Sequence, residues 1–151
     1  MTKETNKRAF AALINGAGQV LVVKRARTTN NGGQIGLPGG HLNEGETVDE
    51  GCSREVFEEI GVSIDFKSVP VLRVQADDKR TIIFACIPKP STYAFNLDTN
   101  EVESVQWVDW TDLSNFPYEA LHRSVLLCQR VLNPATGIYS RTLWEVLKGE
   151  K

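Results

Sequence analysis

The stretch Gly40–Val62, GHLNEGETVDEGCSREVFEEIGV, decides how the rest of the chain is read. It opens on a glycine turn. Thr47-Val-Asp-Glu50 then has the S/T-x-x-E spacing of a capping box, in which the threonine hydroxyl accepts a bond from a free backbone N–H of the first helical turn. Gly61 suits the left-handed residue that ends many helices. Between these limits Val48, Cys52, Val56 and Ile60 recur every fourth residue, which predicts a helix with one face on a core.

The other face is acidic. Glu55, Glu58 and Glu59 fall within roughly a 100° arc of that helix, beside Arg54. Like charges at i,i+4 destabilise an isolated helix by about 0.2–0.5 kcal/mol per pair, so fold stability alone does not ask for the arrangement. A solvated acidic face is one reading. A hard divalent cation is the other, because Mg²⁺ prefers oxygen ligands and keeps part of its water shell for phosphate oxygens.

Spacing separates the two readings. Gly40, five residues, Glu46, seven residues, then Arg54-Glu55-Val56-Phe57-Glu58-Glu59-Ile60-Gly61-Val62 meets G-x5-E-x7-R-E-U-x-E-E-x-G-U at all nine specified positions, with U an aliphatic residue. This resembles the Nudix box of the Nudix hydrolase family. The resemblance implies an α/β fold, a Nudix-type α/β/α sandwich with a mixed β-sheet, formed by residues 1–151 as a single domain. It also implies Mg²⁺, or Mn²⁺, held by Glu55, Glu58 and Glu59, with the Gly39 carbonyl as a further ligand. Arg54 pairs with a carboxylate of the cluster and orients it, and Glu46 supports the site from the helix start.

The totals set the frame. A chain of 151 residues fits one domain with a real core. A net charge of −2 supplies no basic footprint for broad nucleic-acid binding. The polar N-terminus, MTKETNKR, and the lack of a membrane-length apolar run fit a cytoplasmic protein. Cys52, Cys86 and Cys128 read as reduced buried thiols, since they are odd in number, far apart and each in apolar context.

Ala9–Ile14, Asn15-Gly16 and Gln19–Arg25 predict a hairpin. Lys24 and Arg25 close its second strand with positive charge, and the resemblance directs Arg25 toward substrate phosphate. Residues 26–36 are polar and glycine-rich and predict a loop at the mouth of the site. Leu37-Pro38-Gly39-Gly40 follows, with Ile35 where many family members carry Trp. His41 beside the glycines is left unspecified by the box.

Beyond the helix, Val62–Phe66, Val69–Gln75 and Arg80–Ile87 predict strands, with a turn at Ala76–Lys79 and a polar loop over Ser91–Asn100. An acidic residue before a Trp-aliphatic strand recurs downstream of the box in the family, where it completes metal binding or acts as base. Glu101 and Glu103 both stand before Trp107-Val108, and Glu101 is favoured. Trp107 alternates with Val105 and predicts core packing. Thr111–Pro117 predicts a turn, Tyr118–Leu132 an amphipathic helix with Leu121, Val125, Cys128 and Leu132 inward, and Tyr139–Leu147 one further helix.

The resemblance implies hydrolysis of a nucleoside diphosphate linked to a moiety X. The compact chain is similar to MutT-type enzymes, which release a nucleoside monophosphate and pyrophosphate. On that reading Glu55, Glu58, Arg54 and Glu101 carry the catalysis, with Lys24, Arg25, Glu46 and Phe116 on the substrate side. Phe116, Tyr118 and the loop Thr28–Gln34 frame the base. ADP-ribose, nucleotide sugars and dinucleoside polyphosphates are alternative substrates, although the downstream tyrosine and proline marks of two of these groups are missing and Pro70 lies too close. A non-catalytic nucleotide sensor is a further alternative, but such modules lose box carboxylates and this chain keeps them. The partner expected is a small nucleotide, with no membrane, no stable nucleic-acid binding, and a monomer or homodimer.

Overall fold

The computed structural model describes residues 4–15, 17–28, 32–87, 95–109, 112, 116 and 121–132. The elements run β1 (Glu4–Asn15), β2 (Gln19–Arg25), β3 (Ile35–Gly36), β4 (Gly39–Asn43), α1 (Val48–Ile60), β5 (Val71–Gln75), β6 (Arg80–Ile87), β7 (Val102–Asp109) and α2 (Arg123–Leu132). The strands form one mixed sheet in the order β3-β2-β1-β6-β5, with β4 also pairing β1 and β7 pairing β2. β1 and β6 run parallel from Arg8↔Arg80 to Asn15↔Ile87. The other pairings are antiparallel.

Alternation along β1 feeds two cores. Phe10, Ala12 and Ile14 pack on one side of the sheet with Ile82, Phe84, Val125, Leu127 and Cys128. Ala9, Ala11 and Leu13 pack on the other with Cys52, Val56 and Ile60. Successive side chains of a strand point to opposite faces, so β1 and β6 are apolar on both and each face takes a helix. The result is the α/β/α sandwich expected. Each fully buried Leu, Ile or Phe contributes roughly 1.5–3 kcal/mol relative to exposure, which makes Ile82 and Phe84 central to the first core and Leu13 and Ile83 to the second.

α1 begins and ends as its sequence predicts. Thr47 accepts from the Glu50 N–H at 3.1 Å, and the Glu50 carboxylate accepts from the Thr47 N–H at 3.0 Å. Gly61 takes φ 76°, and its N–H donates to the Phe57 carbonyl. The hairpin of β1 and β2 is also present, with Asn15 Oδ1 accepting from the N–H groups of Ala17 and Gln19. At the turn before β6, Asp77 Oδ1 accepts from Lys79 and Arg80.

Two expectations need correction. Val62–Phe66 is not a strand. Val62, Ile64 and Phe66 do alternate into the core, but the segment joins no ladder, and the Ile64 carbonyl accepts from the Ser53 hydroxyl instead. The C-terminal helix starts at Arg123, not Tyr118. Leu121 forms an isolated bridge with Ile35, and the His122 N–H donates to the Ile35 carbonyl, which holds the chain extended just before the helix. Tyr118, the segment Tyr139–Leu147 and most of Thr111–Pro117 lie outside the described residues, as do parts of the Thr28–Gln34 and Ser91–Asn100 loops. Among the described residues no helix is long and apolar enough to cross a membrane.

Candidate active site

A cavity of about 760 Å³ opens where the acidic face of α1 meets the start of α2 and Gly39-Gly40, which begin strand β4 and form no turn, contrary to expectation. That falls within the roughly 300–1,000 Å³ of ordinary small-molecule sites. Glu55, Glu58 and Glu59 line one wall with Glu101 and Asp98.

The helix geometry gives the three box carboxylates different surroundings. Glu58 is half exposed, and Glu55 is mostly covered. Glu59 is 8% exposed and accepts a hydrogen bond at 2.9 Å from the Gly39 N–H. Burial pushes its pKa up to about 8, the Gly39 bond opposes that, and the nearby Glu55 charge adds to it. Arg25 faces the same carboxyl from β2 and favours its ionised form. A carboxyl held this far from water gains from a cation.

Arg54 organises the outer part. Its Nε and Nη2 donate to the two oxygens of Glu46 at 2.8 and 3.0 Å, a bidentate pair. Nη1 donates to Glu55 at 3.0 Å and to Glu58 at 3.2 Å, and Nη2 also reaches the His41 carbonyl at 3.0 Å. The bond to Arg54 holds the Glu46 carboxyl below its usual range. Glu46 therefore supports the site through Arg54 and does not itself line the cavity.

The two glycines let the backbone come close. Gly39 has φ 148°, and a side chain there would run into the Ala9 carbonyl and the Phe10 backbone. A Cβ on Gly40 would instead stand 2.8 Å from Glu55 Oε2.

Glu55, Glu58, Glu59, Glu101 and Gly39, whose carboxylate and carbonyl oxygens are the ligands expected from the sequence, all line this cavity. Among the described residues no three His, Cys, Asp or Glu side chains are gathered so that, as placed, they could hold a metal ion. An open set of hard oxygens fits Mg²⁺, which is bound through one or two carboxylates plus water and substrate phosphate.

Glu101 and Glu103 stand in different places. Glu101 lines the cavity. The β2–β7 register shifts between Lys24↔Ser104 and Arg25↔Val102, which leaves Glu103 as the extra residue of a bulge. It pairs with Lys24 at 3.1 Å and approaches Arg27 at 3.8 Å. Lys24 and Arg25 point to opposite faces of their strand, so only Arg25 lines the cavity. Phe116 is not brought there either; it lines a separate depression with Gln19, Trp107 and Asp109. Trp107 packs partly against the α1-side core, as expected. The His41 ring accepts from Arg8 Nε at 3.0 Å.

Sequence reading missed the basic part of the same cavity. Arg8, Arg80, His122 and Arg123 line it, with Phe10 and Leu126. Ser124 is fully buried and ties the parts together: its hydroxyl accepts from the Leu37 N–H at 3.0 Å and lies 2.9 Å from His122 Nδ1. No local spacing announces these residues, because strand register and the start of α2 bring them together.

A family model described as NUDIX domain matches residues 5–127. The chain is 33% identical over 131 residues to Nudix hydrolase 2 of Arabidopsis thaliana, an alignment covering 82% of this chain and 47% of that protein. The chain spans about half the length of the curated relatives it matches. Among solved structures, RenU, a Nudix hydrolase from M. smegmatis, superposes with a TM-score of 0.69 at 20% identity, covering 86% of this chain and 84% of that one. A bifunctional NMN adenylyltransferase/ADP ribose pyrophosphatase from Francisella tularensis, complexed with AMP and a Mn ion, superposes with a TM-score of 0.64 at 18% identity, covering 86% of this chain and 41% of that one. At these identities the two structures speak to fold alone.

Proposed function

Because the chain belongs to the Nudix family, we propose that its cleft hydrolyses a pyrophosphate bond in a nucleoside diphosphate linked to a moiety X. A nucleoside triphosphate cut to monophosphate and pyrophosphate is the preferred case. The observation that carries this is the buried Glu59 carboxyl, which shares one cavity with Glu55 and Glu101 and faces Arg25.

Glu55, Glu58, Glu59, Glu101 and the Gly39 carbonyl are the oxygens that would hold Mg²⁺, or Mn²⁺. When bound, such an ion neutralises phosphate oxygens and acidifies a coordinated water. The chain's own residues do the rest. Arg54 fixes the rotamers of Glu55 and Glu58. One of Glu55, Glu58 or Glu101 takes the proton of the attacking water, a P–O bond forms, and the bond to the bridging oxygen breaks. Arg25 meets the charge that develops on the phosphate oxygens. The chain works as a single domain, monomeric or as a homodimer, in a cytoplasmic setting. Burial raises the Cys52 and Cys128 thiol pKa values and keeps both thiols inert, which suits that setting.

Product analysis tests this. Purified protein with Mg²⁺ meets nucleoside triphosphates, ADP-ribose, a nucleotide sugar and a dinucleoside polyphosphate. Monophosphate plus pyrophosphate from triphosphates is the expected result. Cleavage confined to another class keeps the hydrolase and overturns the substrate. Nucleotide bound and left intact by the metal-loaded protein overturns the hydrolase.

A further inference from the structure

Arg8 and Arg80 are in-register neighbours on the parallel strands β1 and β6, and Arg8 is also in register with His41 of β4. Adjacent strands lie about 4.8 Å apart, so the two arginines share one face at close range. Like charges placed this way cost stability. Asp77 serves two guanidiniums, at 3.0 Å from Arg80 and 4.0 Å from Arg123. Arg8 donates to a neutral acceptor, His41 Nε2. Arg80 Nε is buried without a hydrogen-bond partner among the described residues.

His122 completes the wall. Its Nδ1 accepts the Ser124 backbone N–H at 3.1 Å, and a backbone amide can only donate. The neutral ring therefore carries its proton on Nε2, which makes His122 a donor in the same cavity as Arg8, Arg80 and Arg123. Burial, with the Arg25, Arg80 and Arg8 charges, keeps the ring neutral. Three guanidiniums and one neutral N–H lining one cavity match a multiply charged oxyanion with several acceptor oxygens.

We propose that Arg8, Arg80, Arg123 and His122 Nε2–H form a seat for a second phosphate group of the substrate, apart from the phosphorus attacked at the carboxylate wall. This rests on reading the cleft as a pyrophosphate-cleaving site. The group is a terminal phosphate, carried either by a nucleoside triphosphate or as a phosphate monoester on the moiety X.

The experiment has a metal-free and a metal-loaded arm. In EDTA, calorimetric titration with inorganic phosphate compares wild type, Arg8→Gln/Arg123→Gln and Arg8→Lys/Arg123→Lys. The seat predicts saturable binding to wild type, weakened at least about tenfold by the glutamines and largely restored by the lysines, since charge-assisted bonds are the strong ones. Should the glutamine pair fail to fold, Arg123→Glu alone serves, because that side chain is 56% exposed. Unchanged phosphate binding in the glutamine variant, or none to wild type, overturns the proposal.

With Mg²⁺, kcat/KM is measured for matched substrates with and without the extra phosphate, and the ratio within each pair is read. A ratio that falls at least tenfold only for triphosphate against diphosphate assigns the seat to the nucleotide's terminal phosphate. A fall only for the pair that differs on X assigns it to a phosphate monoester there. Ratios unchanged in both pairs overturn it. Phosphate binding that depends on the arginines in a protein without turnover would leave the seat standing while the hydrolase reading fails.

Discussion

Gly39 and Gly40 are neighbours, yet substitution should affect them in opposite ways. In Gly40→Ala the new Cβ would sit 2.8 Å from Glu55 Oε2 and 2.9 Å from its Cδ. Ordinary contact needs 3.4 Å or more, so the carboxylate has to move by about 0.6 Å or beyond. It is the far end of a flexible side chain, so the fold should lose no more than about 1 kcal/mol, a Tm change of roughly 2–4 °C for a chain of this size. A reacting group displaced by about 1 Å can lose on the order of 10²-fold in rate, and kcat should fall toward that value. Gly39→Ala meets backbone at Ala9 and Phe10 and demands φ 148° of an alanine. Backbone cannot swing aside, so that variant should lose several kcal/mol, roughly the sum of overpacking and a strained residue. Thermal melts and Mg²⁺-dependent kcat on both variants decide the matter. Gly40→Ala with wild-type kcat would refute the claim that Glu55 must stand where it does. A Gly40→Ala melt as low as that of Gly39→Ala would refute the distinction between a yielding carboxylate and an unyielding backbone.

Arg54→Lys keeps the charge and loses the fork that spans Glu46, Glu55 and Glu58. Expected are a stability loss of about 1–2 kcal/mol and a kcat at least about tenfold lower; a change in KM alone would count against its orienting role. His122 has its pKa lowered from 6.5 to about 4, by burial and then by the Arg25, Arg80 and Arg8 charges. The unfolded chain then binds more protons than the folded one, so this contribution is fully present above pH 6.5 and is lost as pH falls to about 4. Unfolding of wild type and His122→Asn across that window should show their stability difference falling by up to roughly 3 kcal/mol toward low pH. A constant difference would mean that the ring is not held neutral by its surroundings.

What the sequence disclosed was local. Thr47, Glu50 and Gly61 bound α1 because capping chemistry acts within a few residues. The inward row of Cys52, Val56 and Ile60 and the acid arc follow from helix period alone. At Val62–Phe66 alternation reported burial correctly but not pairing, since a ladder needs a partner edge and none of the sheet's edges takes this segment. The choice between Glu101 and Glu103 depended on a bulge opposite Lys24 and Arg25. The basic wall was the least legible. Arg8, Arg80 and Arg123 are far apart in sequence and meet through the parallel register of β1 with β6 and the late start of α2.

The most direct test of the account is Mg²⁺-dependent turnover by Glu58→Gln. This side chain is 54% exposed and accepts hydrogen bonds from Arg54, so the substitution leaves the core untouched. The account predicts a folded protein, melting within a few degrees of wild type, whose Mg²⁺-dependent kcat is lower by about 10²-fold or more. Full Mg²⁺-dependent turnover by the same folded variant would contradict it.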